Sequence, residues 1–426
     1  MYSKIILAEP ASDRHISRAI ALQILLVSVK NILVQAFPDL LEQNDVLNLV
    51  VLGTVAVFYV HAFLTLGARM LRVGGMCMGL LAFLLIVWSL SFMAYPQNST
   101  EIIALLPRFM TYCLLTAFLI TRLTSLRWLA HYMKLFSYGI TLTALVSTLY
   151  ILSVGHSSFS DWSVYSMPLS TYTLISTMWH YYQFFETKRI VPLGFAIVGT
   201  LVIVLVGSRN PLLAILVYVL VSILRHLFDR KQTFLVRLAA LACCSIAAFL
   251  AFFWRRVVSL IYRLLYAFGI HSRTLYLLMQ EEISDSGRNE IHAKLIAYMN
   301  EHPLRPLGVA GDRIPLDGEW AHGLYFSILA TFGYVLGAVV LILLAVMCIK
   351  ALRRSRGVAR EMLILYMCIV LPRGFVAVDV WQNDVFWWML AIMITVLDPV
   401  LRKSAAAVQE RAAEPPSAEE PKTVQK

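Results

Sequence analysis

The chain has 426 residues, of which 59% are hydrophobic and only 14% are charged, whereas a soluble domain is typically about 45–50% apolar and about 25% charged. This composition excludes a water-soluble globular fold and predicts a polytopic membrane protein. The net charge of +11 would suggest a nucleic-acid partner in a soluble protein. In a membrane protein, basic residues report orientation first, so we expect membrane lipid and no nucleic acid as a partner.

Stretches long enough to cross a bilayer recur along the chain, since a spanning helix needs about 20 mostly apolar residues. The sixth stretch is short and polar. It is counted as a span because, without it, every later loop would be placed on the opposite side of the membrane and the alternation of basic loops would be lost. The sequence therefore predicts an all-α protein with about 12 transmembrane helices, near residues 19–36, 46–66, 74–94, 102–120, 129–152, 170–185, 190–206, 211–228, 234–254, 321–349, 361–379 and 382–400.

Lysine and arginine fall in alternate loops of this arrangement. The inside segments carry 20 basic residues, while the outside loops at 37–45, 95–101 and 153–169 carry none. By the positive-inside rule both termini are cytoplasmic. Arg209 and Arg373 are exceptions on the outer side, and an exception of this kind is a candidate for a function.

This topology divides the chain into five parts. Only the segment between spans 9 and 10 is large enough for an extramembrane subdomain, and it should begin with an interfacial helix at Arg256. The expected parts are a cytoplasmic N-terminus (1–18), transmembrane helices 1–9 (19–254), a periplasmic loop subdomain (255–320), transmembrane helices 10–12 (321–400) and a disordered cytoplasmic tail (401–426).

Three polar residues on the outer side stand out. Arg209 lies in a tight turn before Pro211, where a helix start favours anions, although a snorkelling arginine that contacts lipid phosphate would look the same. Arg288 should fall in the first turn of a helix, where the dipole disfavours a cation unless an anion binds nearby; a solvated arginine paired with Glu290 or Asp285 is the alternative. His322 stands at the outer mouth of the tenth span, able to accept a proton.

Three stretches resemble the O-antigen polymerase and ligase superfamily of bacterial inner-membrane glycosyltransferases when they are read together. Where family members usually have Asn after the His, this chain has Gly323. The stretches are Gly207-Ser208-Arg209-Asn210-Pro211; Gly287-Arg288-Asn289-Glu290-Ile291 with Asn300-Glu301-His302-Pro303-Leu304 and Gly308-Val309-Ala310-Gly311; and Ala321-His322-Gly323-Leu324-Tyr325 with Phe332-Gly333 and Gly337.

The resemblance implies a donor glycan carried on undecaprenyl pyrophosphate and an active site facing the periplasm. Arginine binds phosphate oxygens bidentately and stays charged, so it suits a departing pyrophosphate. His322 would then be the catalytic base, and Arg209, Arg288, Arg108 and Arg313 would bind pyrophosphate. We expect neither a metal nor a cofactor. The acceptor is a second lipid-linked glycan or lipid A core, and other polysaccharide-assembly proteins are further expected partners.

Several assignments stay open at this stage. Arg108 and Lys30 lie inside predicted spans, where an ionisable residue suggests a function but snorkelling is also possible. A solvated loop charge is the simpler reading of Arg313. The aromatic residues at 381 and 386–388 are expected to form an interface belt. Other outward-facing candidates for the base are His156, Asp161, His271, His292 and His302.

Polymerase is the first functional hypothesis, because Gly311-Asp312-Arg313 and Ala330-Thr331-Phe332-Gly333 resemble polymerase relatives more than ligases. The runner-up is the ligase that transfers finished glycan to lipid A core. A twelve-span transporter or flippase is the alternative from another class, but transporters usually carry corresponding polar or broken helices in two halves. The unusual charges here gather on the outer side around one large loop, which favours chemistry at an interface.

Overall fold

The computed structural model describes residues 10–37, 44–71, 73–154, 166–206, 209–228, 252–267, 272–279, 287–375 and 379–403, together with six residues between 233 and 245. The structure is 86% helical, and no strand occurs in these ranges. The all-α membrane class expected from composition is therefore confirmed.

The helices of the described ranges follow the chain in a simple order. The fourth span is interrupted by a π-helical stretch, Phe109–Leu115, between α4 and α5. The helices are α1 Ala11–Ala36, α2 Asn44–Leu66, α3 Gly75–Ala94, α4 Ser99–Arg108, α5 Thr116–Thr121, α6 Arg127–Val154, α7 Met167–Thr187, α8 Ile190–Val206, α9 Arg209–Phe228, α10 Trp254–Ala267, α11 Arg273–Met279, α12 Arg288–Glu301, α13 Leu324–Arg354, α14 Gly357–Arg373 and α15 Asp384–Leu397.

Seven helices in the described ranges are long and apolar enough to cross a membrane. They correspond to the predicted spans 1–5, 8 and 10. The predicted spans at 170–185, 190–206, 361–379 and 382–400 coincide with α7, α8, α14 and α15, which are helical but shorter or more polar. The span at 234–254 lies mostly outside the described residues, so the total of twelve remains a prediction.

The interior of the bundle is built around α15. This helix packs against α5, α13 and α14, and every side chain from Val385 to Ile394 is buried. Trp381 and Trp387 are each 3% exposed and lie beside Phe109. The expected interface belt is therefore wrong, because these aromatic residues fill the core instead of facing lipid.

Large apolar side chains cover the outside of the bundle. Leu64 on α2 is 76% exposed, Leu85 on α3 is 70% exposed and Val335 on α13 is 61% exposed. In water such a surface would be a strong aggregation hazard. In a membrane it faces lipid, as the composition requires.

Ion pairs and a hydrogen bond connect the ends of neighbouring helices. Asp13 of α1 pairs with Arg69 after α2, and Arg225 of α9 forms a bidentate pair with Glu361 of α14. At the opposite ends, Lys30 donates to Asn44. Each of these contacts joins helix ends that the predicted topology places on the same side of the membrane.

Helix α13 is broken at Gly333. This residue has φ 75° and ψ 170°, a backbone region that is essentially restricted to glycine. The break frees carbonyl groups in the preceding turn, and the loop between α12 and α13 binds them. The Leu307 amide donates to the Ala330 carbonyl at 2.9 Å, and the Gly308 amide donates to the Thr331 carbonyl at 3.1 Å.

The segment Leu307–Arg313 (the 307–313 segment) lies between this break and the end of α3. The Asn98 side-chain amide donates to the carbonyls of Leu307 and Val309, at 2.9 and 3.2 Å. Gly308 has φ 77°, and a Cβ atom there would lie 2.7 Å from the Tyr95 ring. The glycine-rich sequence therefore permits close packing that a side chain would prevent.

Replacing Gly333 with alanine should lower stability by about 1–3 kcal/mol, because the new side chain disfavours the required backbone region. The matched control is Gly194→Ala, at an exposed helical glycine with open space around its Cβ position. Thermal unfolding of the purified proteins in detergent checks this. Equal melting temperatures for the two variants would contradict the importance of the break.

Candidate functional site

His322 lies two residues before α13, as the sequence predicted for the mouth of this helix. Its backbone has φ 48°, a left-handed conformation that is uncommon for a residue with a side chain. Its ring lies 4.1 Å from the Trp320 ring, centroid to centroid. A strained, half-buried histidine of this kind persists only where its surroundings hold it in place.

Two hydrogen bonds hold the residue immediately before His322. The Ala321 amide donates to Oδ2 of Asp312 at 2.8 Å. The Ala321 carbonyl accepts from Nε2 of His292 at 2.9 Å, and the His292 ring stacks on Phe326 at 4.0 Å. The 307–313 segment and α12 therefore fix the backbone that carries His322.

Arg288 is the first residue of α12, as expected, and it follows Gly287, whose φ is 78°.

The protonation of His322 depends on its surroundings. Burial lowers the pKa of His322 below its ordinary value of 6.5, and the positive charges of Arg288 and His292 lower it further, while Glu319 opposes them. His322 is therefore neutral at pH 7 and can accept a proton. The structure brings together Arg288 and His322, which the sequence had assigned to one site.

Gly323 occupies the position where family members usually have Asn. A Cβ atom here would lie 3.0 Å from the Phe326 ring and 3.3 Å from the Gly374 carbonyl oxygen. The Tyr325 hydroxyl also donates to the Leu371 carbonyl at 3.1 Å. The end of α14 thus packs tightly against the start of α13, and glycine permits this approach.

Two buried carboxyl groups lie behind His322, and the sequence reasoning missed both. Asp312 and Asp379 are each 7% exposed. Oδ1 of Asp379 accepts from the Ser327 hydroxyl at 2.9 Å and from the Trp381 amide at 3.1 Å. Burial, and then the Asp379 charge, raise the pKa of Asp312 to about 7, and burial raises the pKa of Asp379. This aspartate pair therefore carries less than its full negative charge near neutral pH.

Arg313 forms an ion pair with Glu101 at the start of α4. Its side chain is only 14% exposed. This contact ties the 307–313 segment to α4 and favours a structural role for Arg313 over the phosphate-binding role expected from the sequence.

Arg108 belongs to a second polar group, within the bundle. It keeps exposed surface and lies close enough to Asp384 and Tyr172 to interact electrostatically. Asp384 interacts in the same way with Arg373. The sequence flagged Arg108 and Arg373 separately, but it carried no signal for Asp384, which falls at the predicted start of a span.

The remaining candidates are less closely placed. Arg209 starts α9 and is half-buried, two residues before the expected start at Pro211, and its relation to His322 stays a prediction. His302 follows α12 and lies against Tyr298, 5.6 Å between ring centroids. His156, Asp161 and His271 lie outside the described residues. Within the described ranges, no group of three or more His, Cys, Asp or Glu residues is arranged to hold a metal ion.

Comparison with known proteins adds one match. A family model described as O-antigen ligase matches residues 194–341, which include Arg209, Arg288 and His322. This confirms the resemblance to the O-antigen polymerase and ligase superfamily and supports a membrane enzyme of polysaccharide assembly. No curated protein and no solved structure matches the chain.

Asp312 should make stability depend on pH. Its pKa is about 7 in the folded protein and about 3.9 when unfolded, so the folded state binds the proton more tightly. The resulting stabilisation is complete below about pH 4, is lost progressively as pH rises from about 4 to 7, and is absent well above pH 7. Asp312→Asn cannot ionise, but its side-chain oxygen can still accept from Ala321. The melting temperature of the wild type should therefore fall between pH 6 and 8 by roughly 3 °C more than that of this variant.

The control for this experiment is Asp317→Asn, which changes an exposed aspartate of the same loop. It should follow the wild-type pH dependence. Parallel curves for wild type and Asp312→Asn would show that Asp312 does not titrate in this range.

Proposed function

We propose that the protein polymerises undecaprenyl-pyrophosphate-linked oligosaccharide repeat units into O-antigen, capsular or exopolysaccharide, on the outer face of the bacterial inner membrane. The observation that carries the proposal is Arg288 beside a neutral His322. Both residues lie in the outer loop within the region matched by the family model. The chemistry proposed is a metal-independent glycosyl transfer with inversion.

The acceptor sugar hydroxyl is the nucleophile in this mechanism. His322 takes the hydroxyl proton while the oxygen forms a bond to the anomeric carbon of the donor, a contribution of typically 10²–10⁴-fold in rate. The bond from that carbon to the pyrophosphate oxygen breaks, and the lipid pyrophosphate leaves with the electron pair. Attack opposite the leaving group inverts the anomeric centre.

Arginine stabilises the charge that develops on the leaving pyrophosphate. Arg288 lies close enough to His322 to affect its protonation. Its guanidinium can therefore bind the leaving pyrophosphate while His322 acts as the base. Arg209, at the start of α9, is assigned to the same anion, helped by the positive end of that helix. The charge of Arg288 also favours a neutral His322.

A ligase that transfers glycan to lipid A core is the second candidate, and the description of the matching family favours it. The two functions share the donor and differ in the acceptor, so a deletion strain separates them. Loss of a polymerase leaves one repeat unit on lipid A core. Loss of a ligase leaves bare core and long chains on the lipid carrier.

His322→Ala should abolish polymer formation, because the acceptor hydroxyl loses its base. Arg288→Ala should reduce it at least 100-fold, since one lost oxyanion donor costs about that much in other enzymes. Complementation of the deletion strain, with glycan analysis and quantification of membrane protein, measures both. His302→Ala is the control, and full polymer length in the His322→Ala strain would reject the base assignment.

The rate of chain growth should fall on the acid side at a pH below 6.5, because protonated His322 cannot act as a base. Glu319 raises the pKa of His322. In the Glu319→Gln variant, the fall in rate on the acid side of the pH profile (the acid limb) should therefore occur at lower pH. Rates from pH 5 to 8 in membranes that contain the native lipid-linked units test this. Asp317→Asn, at an exposed charge of the same loop, should leave the limb in place; a shift of the Glu319→Gln limb to higher pH would contradict the assignment.

A further inference from the structure

Two arginines near the start of α1 are held against aromatic rings of the neighbouring helices. The Arg14 Nε atom donates to the Tyr132 hydroxyl of α6 at 3.3 Å, and its Cζ atom lies 5.2 Å from the centre of the Trp128 ring. The Cζ atom of Arg18 lies 5.4 Å from the centre of the Phe58 ring of α2. Arg14 and Arg18 are one helical turn apart and therefore lie on the same side of α1. They form a cationic group, the α1 arginine pair, where α1 packs against α2 and α6.

Within the described ranges, no carboxylate forms an ion pair with the α1 arginine pair. Asp13 is fully buried, and its oxygens are occupied. They accept from Arg69 at 3.1 Å and from the backbone amides of Thr124 and Ser125, each at 3.0 Å. The Arg18 Nε atom is buried and has no hydrogen-bond partner. A guanidinium in this position, near the hydrocarbon region, is costly unless an anion joins it.

Two histidines join the same patch. Nε2 of His61 and Nδ1 of His15 lie 3.2 Å apart, within hydrogen-bond distance, and the two rings meet edge to face with 4.7 Å between their centroids. This contact links α1 to α2. Arg14 and Arg18 both lie within electrostatic range of His15, so the arginines and the histidines converge. Because His61 is exposed, the patch is open to a ligand.

This patch lies at the opposite end of α1 from the candidate functional site. Lys30 follows Arg14 by 16 residues in the same helix, a distance of about 24 Å along its axis. Lys30 is within electrostatic range of Arg108, and Arg108 is within range of Asp379. The positive-inside rule predicts the start of α1 on the cytoplasmic side. The α1 arginine pair is therefore distinct from the arginines assigned to pyrophosphate.

An apolar stripe on α2 continues from the patch into the membrane. Val57, Val50 and Val46 share a face of α2 with His61, at spacings of four, seven and four residues. They are 68%, 60% and 61% exposed, so this face lies against lipid tails. A ligand that suits both features has an anionic head and apolar chains, as an anionic phospholipid has. Basic pockets between transmembrane helices on the cytoplasmic side bind such headgroups in other proteins.

We propose that the α1 arginine pair binds the phosphate of an anionic phospholipid from the cytoplasmic leaflet, with His61 beside it as a further hydrogen-bond donor. Each guanidinium presents a planar set of N–H donors that suits phosphate oxygens. The aromatic rings against Arg14 and Arg18 hold these planes in place before the lipid binds. The bound lipid connects α1, α2 and α6, so it stabilises the folded protein. The proposal does not rest on the glycosyl transfer proposed above.

The test titrates phosphatidylglycerol into the purified full-length protein in a neutral detergent and counts bound lipid by native mass spectrometry. Wild type should retain one phosphatidylglycerol molecule in preference to phosphatidylcholine. Arg18→Gln should weaken this binding at least tenfold, as expected for a lost hydrogen bond between charged groups. Arg353→Gln is the control: it removes the same charge from an exposed arginine that the topology predicts on the same side, and binding should stay unchanged. Equal weakening in both variants would show general charge attraction and overturn the proposal.

Arg18→Lys separates recognition of the phosphate from the orientation signal. It keeps the positive charge, so the topology and the melting temperature in lipid-free detergent should match the wild type. It loses the planar guanidinium, which a lysine does not replace at a phosphate site, so phosphatidylglycerol should bind at least threefold more weakly. Full binding in this variant would reject a site fitted to arginine.

Competition identifies the source of the phosphate. Inorganic phosphate and undecaprenyl diphosphate are each titrated against bound phosphatidylglycerol, and neither should displace it at equal concentration. Displacement by inorganic phosphate would show a site for soluble anions. Preferential binding of undecaprenyl diphosphate would show a site for the lipid carrier. Either result rejects the phospholipid proposal.

Discussion

The hydrogen bonds between the loop that precedes α13 and the broken turn of that helix are the constraint on which the candidate site depends. Gly333 frees carbonyl groups inside the membrane domain, and the 307–313 segment satisfies them. Buried backbone groups need such partners, all the more in lipid. This docking brings Asp312 to Ala321, so the backbone of His322 is set by a break 11 residues further along the chain.

The aspartate pair shows how buried carboxyl groups are tolerated here. Neighbouring backbone amides and the Ser327 hydroxyl donate to them, and burial of two like charges favours a shared proton. Arg313 and Arg108 offset part of the charge on Asp379. The pair therefore joins the loop that carries His322 to the helix ends that carry Arg108, without a full double charge between them.

The sequence predicted what depends on local pattern. Hydrophobic runs located the spans, and helix-start signals placed Arg288 and His322 at helix ends, because capping and periodicity act over a few residues. It did not predict Asp312 with Asp379, or Arg313 with Glu101, because these partners lie far apart in the chain and meet only through packing. The aromatic residues near Trp387 were misassigned for a related reason: composition shows that a helix end is aromatic, but not whether neighbouring helices cover it.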